Sequence, residues 1–233
     1  MQKIPSGIEG FDKISKGGVP KKGVTVILGP HSSGKTTFGV QFLVGGILKS
    51  NEPAVFITLD ETPNKIKMKM KGYGWDLLEY INKGLWDFVD LSPHLGEKFE
   101  FRGDYNLGGL LIQIKMAIDK IKAKRIVLDS LSVLYNRFPN TEIIKRDLLV
   151  LKSWLKAYSV TSIIINEMND EIPEDFHHKI VRKTSDNIIR LKNPLNTELR
   201  TIEIVKYQDN NYLKGKHFFT IEKRRGITII PTD

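Results

Sequence analysis

The chain has 233 residues, 40% apolar and 27% charged, which suits one globular domain with a real core, or one with a small appendage. It has no cysteine, so disulfides, thiol catalysis and Cys-bound zinc are excluded. No apolar run approaches the ~20 residues of a membrane span, and Met1-Gln2-Lys3-Ile4-Pro5 is not a secretory leader. A cytoplasmic location and no membrane partner are therefore expected. The net charge is +9, and residues 179–233 hold 12 Lys/Arg against 6 Asp/Glu. Such a basic face suits nucleic acid, nucleotide phosphates or an acidic subunit surface, and equally a solvated surface. No aromatic-interleaved RNA motif or helix-turn-helix pattern accompanies it.

In chain order, residues 4–23 are a lead-in segment. Ile8, Phe11 and Ile14 are spaced for a short helix, which Gly17-Gly18 stops. Val24–Leu28 is apolar throughout, as a central parallel strand would be. A helix is predicted from Lys35 to about Lys49, and a second strand over Ala54–Leu59. Lys65–Lys71 alternates like a strand, but Thr62 as N-cap and Pro63 at the first helical position predict a helix. Trp75–Lys83 reads as a short helix and Leu85–Leu91 as a strand. Residues 92–106 read as a long polar loop. A helix over Leu107–Lys124, a strand over Arg125–Asp129, a helix from Thr141 to about Tyr158 and a strand over Thr161–Asn166 follow. Residues 166–183 read as a second long loop, acidic first and basic after. Asn187–Leu191, Arg200–Tyr207, His217–Ile221 and Ile227–Ile230 then read as consecutive strands. Alternating strands and helices followed by a β-rich tail predict an α/β fold: a mostly parallel central sheet flanked by helices, with antiparallel strands at the C-terminal edge.

The chemistry centres on Gly29-Pro30-His31-Ser32-Ser33-Gly34-Lys35-Thr36. This G-x-x-x-x-G-K-[ST] run lies between an apolar strand and a helix, the setting of a phosphate-binding loop. Its backbone N–H groups and the helix N-terminus would face phosphate oxygens. Lys35 would reach the β- and γ-phosphates, and the Thr36 hydroxyl would hold Mg²⁺. Asp129 ends an apolar strand, where parallel sheets bind ligands, and fits a magnesium-linked carboxylate. Asp60-Glu61 ends another such strand and can orient and deprotonate water; Glu61 can equally just support the cap at Thr62. Asn166 ends its own strand and fits either a bond to the γ-phosphate or water, or a turn.

These motifs resemble the single-domain, archaeal-type KaiC-like ATPases of the RecA superfamily. The matching stretches are Ser6-Gly7-Ile8-Glu9-Gly10-Phe11-Asp12, Gly17-Gly18-Val19-Pro20, the phosphate loop and Asp60-Glu61-Thr62-Pro63. Gly74-Trp75-Asp76-Leu77, Val127-Leu128-Asp129-Ser130, Ser185-Asp186-Asn187-Ile188-Ile189-Arg190-Leu191 and Lys214-Gly215 follow in family order, across nearly the whole chain. Ser32-Ser33-Gly34-Lys35-Thr36-Thr37 and Asp129-Ser130-Leu131-Ser132 also resemble the recombinases.

The resemblance implies one RecA-like P-loop NTPase domain over 1–233, Mg·ATP, and a homo-oligomeric ring or filament with ATP between subunits. It implies that Lys206, Tyr212 and Lys214 reach a neighbour's nucleotide. Where hydrolytic members carry an arginine, this chain has Gln208; an amide cannot neutralise transition-state charge as a guanidinium does, so slow hydrolysis is expected. The family's first glutamate is here Asp60. Arg182-Lys183 occupy the places of the adjacent Ser and Thr of the autokinase domain, so self-phosphorylation is not expected there. No tandem second domain is read in the sequence, so a clock role is not expected either. Two other readings stay open: a recombinase-like protein binding single-stranded DNA through the two long loops, and an ATP-gated module that docks a protein partner and barely turns over.

Overall fold

The computed structural model describes residues 1–92, 107–133, 141–168, 176–193 and 199–231. Two short strands, β1 (Lys3–Ile4) and β2 (Val19–Pro20), pair antiparallel as a ribbon. Between them in sequence lies the four-residue helix α1 (Phe11–Ile14). The sequence predicts the helix but not the ribbon, because two-residue strands carry no periodicity to read.

The remaining strands are β3 (Val24–Gly29), β4 (Ala54–Thr58), β5 (Trp86–Asp90), β6 (Arg125–Asp129) and β7 (Thr161–Glu167), then β8 (Asn187–Lys192), β9 (Arg200–Lys206), β10 (Lys216–Glu222) and β11 (Gly226–Ile229). They form one nine-stranded sheet in the order β11-β10-β9-β8-β3-β7-β6-β4-β5. The strands from β8 to β5 in that order run parallel. Those from β9 to β11 are antiparallel at one edge. Every residue of β3 and β4 is buried, as helices on both faces require. Exposure alternates along β10 instead, as expected of an antiparallel strand with one open face.

Helices α2 (Lys35–Ser50), α3 (Pro63–Lys71) and α4 (Leu77–Asn82) share one core with α1, around Phe38, Phe42, Phe56 and Trp86. Helices α5 (Leu107–Ile121), α6 (Thr141–Ala157) and α7 (Phe176–Thr184) cover the other face, around Ile114, Leu151 and Ile164. In α3 the cap overrides the strand-like alternation. The Thr62 side chain accepts from the Lys65 N–H, and Ile66 and Met70, four apart, are buried, while Met68 is 77% exposed.

Several element ends shift by one to three residues from the sequence reading, and two differences bear on the site. The second long loop was expected to run to residue 183, yet α7 occupies Phe176–Thr184. Among its residues whose side chains are described, Ile180 and Val181 are buried, and charged neighbours in the sequence mask the period. Strand β7 extends to Glu167, one residue past the predicted end. Residues 93–106 of the first predicted loop and 169–175 of the second, with the side chain of Phe176, lie outside the described residues. No helix among the described residues is long and apolar enough to cross a membrane.

Candidate nucleotide site

Parallel strands β3, β4, β6 and β7 end on the same side of the sheet, and a cavity of about 610 Å³ opens there. The phosphate loop leaves β3 and enters α2 through Gly34, whose φ of 99° is a conformation that L side chains rarely adopt. A Cβ at Gly34 would also meet the Ile221 side chain at 2.7 Å. His31 and Ser32 are exposed, while Ser33, Lys35 and Thr37 are buried. His31 through Thr37 all line the cavity; Gly29 and Pro30 stand behind them. The Lys35 ammonium donates to the Pro30 carbonyl at 2.6 Å. Burial pulls the Lys35 pKa below the usual lysine value, against the opposing charges of Glu167 and Asp129.

Strand β6 delivers Asp129 to the same cavity. The Thr36 hydroxyl donates to its Oδ2 at 2.6 Å. Burial pushes the Asp129 carboxyl up to about 6; the bond from Thr36 and the charge of Lys35 oppose this, and Asp60 and Glu61 add to it. Register sets the neighbours: Thr58 of β4 pairs with Asp129, and the Leu59 N–H donates to the Asp129 carbonyl at 2.7 Å. Asp60 and Glu61 therefore emerge beside Asp129, and both line the cavity. Thr58 Oγ1 donates to the Glu61 carbonyl at 2.5 Å, and the Glu61 carboxylate pairs with Lys69 of α3.

Asn166 does not line the cavity. It is 1% exposed, its Nδ2 donates to the Glu167 carbonyl at 3.3 Å, and its Oδ1 has no partner among the described residues. Glu167 forms the wall instead, level with Gly29. Its N–H donates to Ser132 Oγ at 3.2 Å, and Ser132 Oγ lies 2.8 Å from Ser130 Oγ. Sequence reasoning missed Glu167 as a site residue because it ended the strand at Asn166. Its signal was an acid standing where Asp60 and Asp129 stand on their strands. Arg200, Lys223, Lys69 and Tyr73 also line the cavity and were not foreseen. Gln41 of α2 holds the β10–β11 turn that carries Lys223, accepting from the Ile227 N–H at 2.7 Å and donating to the Ile227 carbonyl at 3.1 Å.

A family profile described as "ATPase: KaiC" matches residues 4–233. The chain belongs to the KaiC ATPase family. It is 40% identical to the circadian clock protein KaiC3 of Synechocystis sp. over 99% of this chain and 46% of that protein. It is 38% identical to the circadian clock oscillator protein KaiC of Parathermosynechococcus lividus, over 99% of this chain and 43% of that one. For the KaiC of Synechococcus elongatus the figures are 35%, 99% and 44%. The chain thus spans less than half the length of these relatives. The sheet and its flanking helices are the RecA-like core of the family.

In this KaiC-family chain, Lys206, Gln208, Tyr212 and Lys214 do not line the cavity. Lys206 pairs with Ile188, which is level with Val26 in β3. That is three residues, ~10 Å, back from Gly29. The loop after Lys206 continues from there, at the opposite end of the sheet from the phosphate loop. Lys206 Nζ donates to the Ser185 carbonyl at 2.9 Å. Gln208 and Lys214 are exposed, and Tyr212 packs its half-buried ring 5.7 Å from that of Tyr207.

Proposed function

We propose that the chain is a single ATPase domain that binds ATP with Mg²⁺, hydrolyses it slowly, and works in a ring or filament with nucleotide between subunits. The observation that carries this reading is the 2.6 Å bond from Thr36 to Asp129 on the cavity wall, which couples the loop after β3 to the end of β6. A hydroxyl beside a carboxylate is an oxygen-only donor set, as a hard cation prefers. No group of three His, Cys, Asp or Glu able to hold a metal occurs among the described residues, so phosphate oxygens would complete the shell. Thr36 would hold Mg²⁺ directly, with Asp129 behind it. Mg²⁺ held there would neutralise charge that develops on the phosphates.

The chain's own groups supply the rest. Lys35 exchanges the Pro30 carbonyl for phosphate oxygens. Glu61, with Asp60 beside it, takes the proton of the attacking water. Asn166, which lies behind the cavity wall, acts through the backbone of Glu167 rather than on the phosphate. The cations Lys69, Arg200 and Lys223 complement a triphosphate. One chain cannot bring Lys206, Gln208, Tyr212 and Lys214 to its own phosphate loop, since they leave the far end of the sheet. A head-to-tail contact between copies would, and such contacts generate rings or filaments. Gln208 in place of an arginine accounts for slow turnover.

The test is phosphate release by the purified protein, with solution mass measured in the same samples with and without ATP and single-stranded DNA. Release that needs Mg²⁺ and is lost in Lys35→Ala supports the proposal; equal rates in wild type and variant refute it. Tight ATP binding with negligible release favours the ATP-gated module, and salt-sensitive DNA binding the recombinase-like reading.

A further inference from the structure

Lys3 in β1 has a side chain only 5% exposed. Its ammonium donates to the Ser15 carbonyl at 2.7 Å and to the Asn211 carbonyl at 2.5 Å. It also lies 3.5 Å from Asp209 Oδ2 and 5.2 Å from the centre of the Tyr207 ring. Two of its three donors are thus given to backbone carbonyls, with the Asp209 carboxylate beside them. Three of those four partners belong to one loop, residues 207–215, which joins β9 to β10. The same loop is tied to the lead-in segment twice more. The Leu213 N–H donates to the Ile14 carbonyl at 2.7 Å, and the Tyr207 hydroxyl lies 3.5 Å from the Gly18 carbonyl.

A β-hairpin needs only about two to five connecting residues. This connection is longer, largely polar, and held by a ribbon from the other end of the sequence. Ordering each residue costs backbone entropy, so a long loop keeps one shape only where anchors impose it. Among its residues, Gln208 and Lys214 point outward and Tyr212 is half-buried.

We infer that Lys3 is a positioning residue: through Asp209, Asn211 and Tyr207 it sets the shape in which Gln208, Tyr212 and Lys214 meet the nucleotide of an adjacent copy of this chain. The inference rests on the proposal that this loop acts across a subunit contact. The lead-in ribbon of one subunit then governs turnover in the next, while its own phosphate loop, at the other end of the sheet, stays intact.

Complementation tests this. Lys3→Met retains ATP affinity within about twofold and lowers phosphate release by about tenfold or more, since small misplacements of an acting group are costly. Mixed with Lys35→Ala, it regains activity, because Lys35→Ala chains offer an intact loop to the intact phosphate loops of Lys3→Met chains. Lys3→Arg keeps a donor and retains at least half the rate. Lys206→Ala mixed with Lys35→Ala is the control for the underlying proposal. If that pair does not complement, the action across subunits falls. If it complements while Lys3→Met with Lys35→Ala does not, or if Lys3→Met turns over like wild type, only the role of Lys3 is overturned. Should Lys3→Met lose ATP binding, Asp209→Asn carries the same test, with complementation expected and its absence decisive.

Discussion

Strand β6 has a buried charge at its start and a half-buried one at its end, and the two are treated oppositely. Arg125, 1% exposed, starts the strand. Its Nε donates to Glu52 at 2.6 Å, and its Nη1 to the carbonyls of Pro5 and Phe42 at 3.0 and 2.9 Å. Its guanidinium also stacks 4.6 Å over the Phe42 ring. The space is so filled that a Cβ on Gly46 would run into the guanidinium. Four residues on, Asp129 has one hydroxyl partner, two nearby carboxylates and a pKa raised to about 6. A paired and packed charge is an anchor. A half-buried charge left short of partners costs stability, and is found where a ligand would complete it.

Substitutions at the two ends should separate these roles. The largest effect is expected from Asp129→Ala, which should lower phosphate release by about a thousandfold, in line with losses at phosphoryl-transfer groups; a loss under tenfold in a steady-state assay would break the comparison. Arg125→Ala should instead cost the fold about 3 kcal/mol, because Glu52 and two carbonyls lose their partner. Chemical denaturation measures it, and ATP affinity per folded molecule should hardly change.

Asp129→Asn should stabilise the nucleotide-free protein by roughly 1–3 kcal/mol at neutral pH, the lower part of that range because the carboxylate still meets cavity water. The sign follows from the folded pKa lying above the unfolded one. Folded Asp129 binds its proton more tightly, so wild-type stability rises as pH falls from about 7 towards 4, and no further once both states are protonated. In denaturation with chelator present, the difference between Asp129→Asn and wild type should shrink over that window; a pH-independent difference would remove the electrostatic explanation. The smallest effect is expected from Gln208→Arg, away from β6. If assembly already brings this position to a neighbour's phosphates, turnover should rise several-fold without a change in stability.

Much of the site was legible because its residues sit at ends of apolar strands. The loop after β3, Asp60-Glu61 after β4 and Asp129 at the end of β6 all line one cavity. Strand ends could be read because central parallel strands are nearly uniformly apolar, so the first polar residue marks the exit. The same rule failed at β7, where polar Asn166 is still inside the sheet and Glu167 is the residue that emerges. Helix α7 was missed for a related reason: a nine-residue run with few apolar positions among many charges does not make a legible period.

By itself the sequence determined the α/β class, the phosphate loop and the acids that accompany it, since local spacing and strand burial are written into composition and order. Only the tertiary structure decided how distant pieces meet. Register set Thr58 opposite Asp129, and so brought Glu61 beside it. The antiparallel turn of β9 carried Gln208 away from the phosphate loop. Lys3 came to rest against Asp209 and Asn211, 208 positions from the latter. Such contacts depend on how the chain crosses the sheet, and no window of neighbouring residues records that.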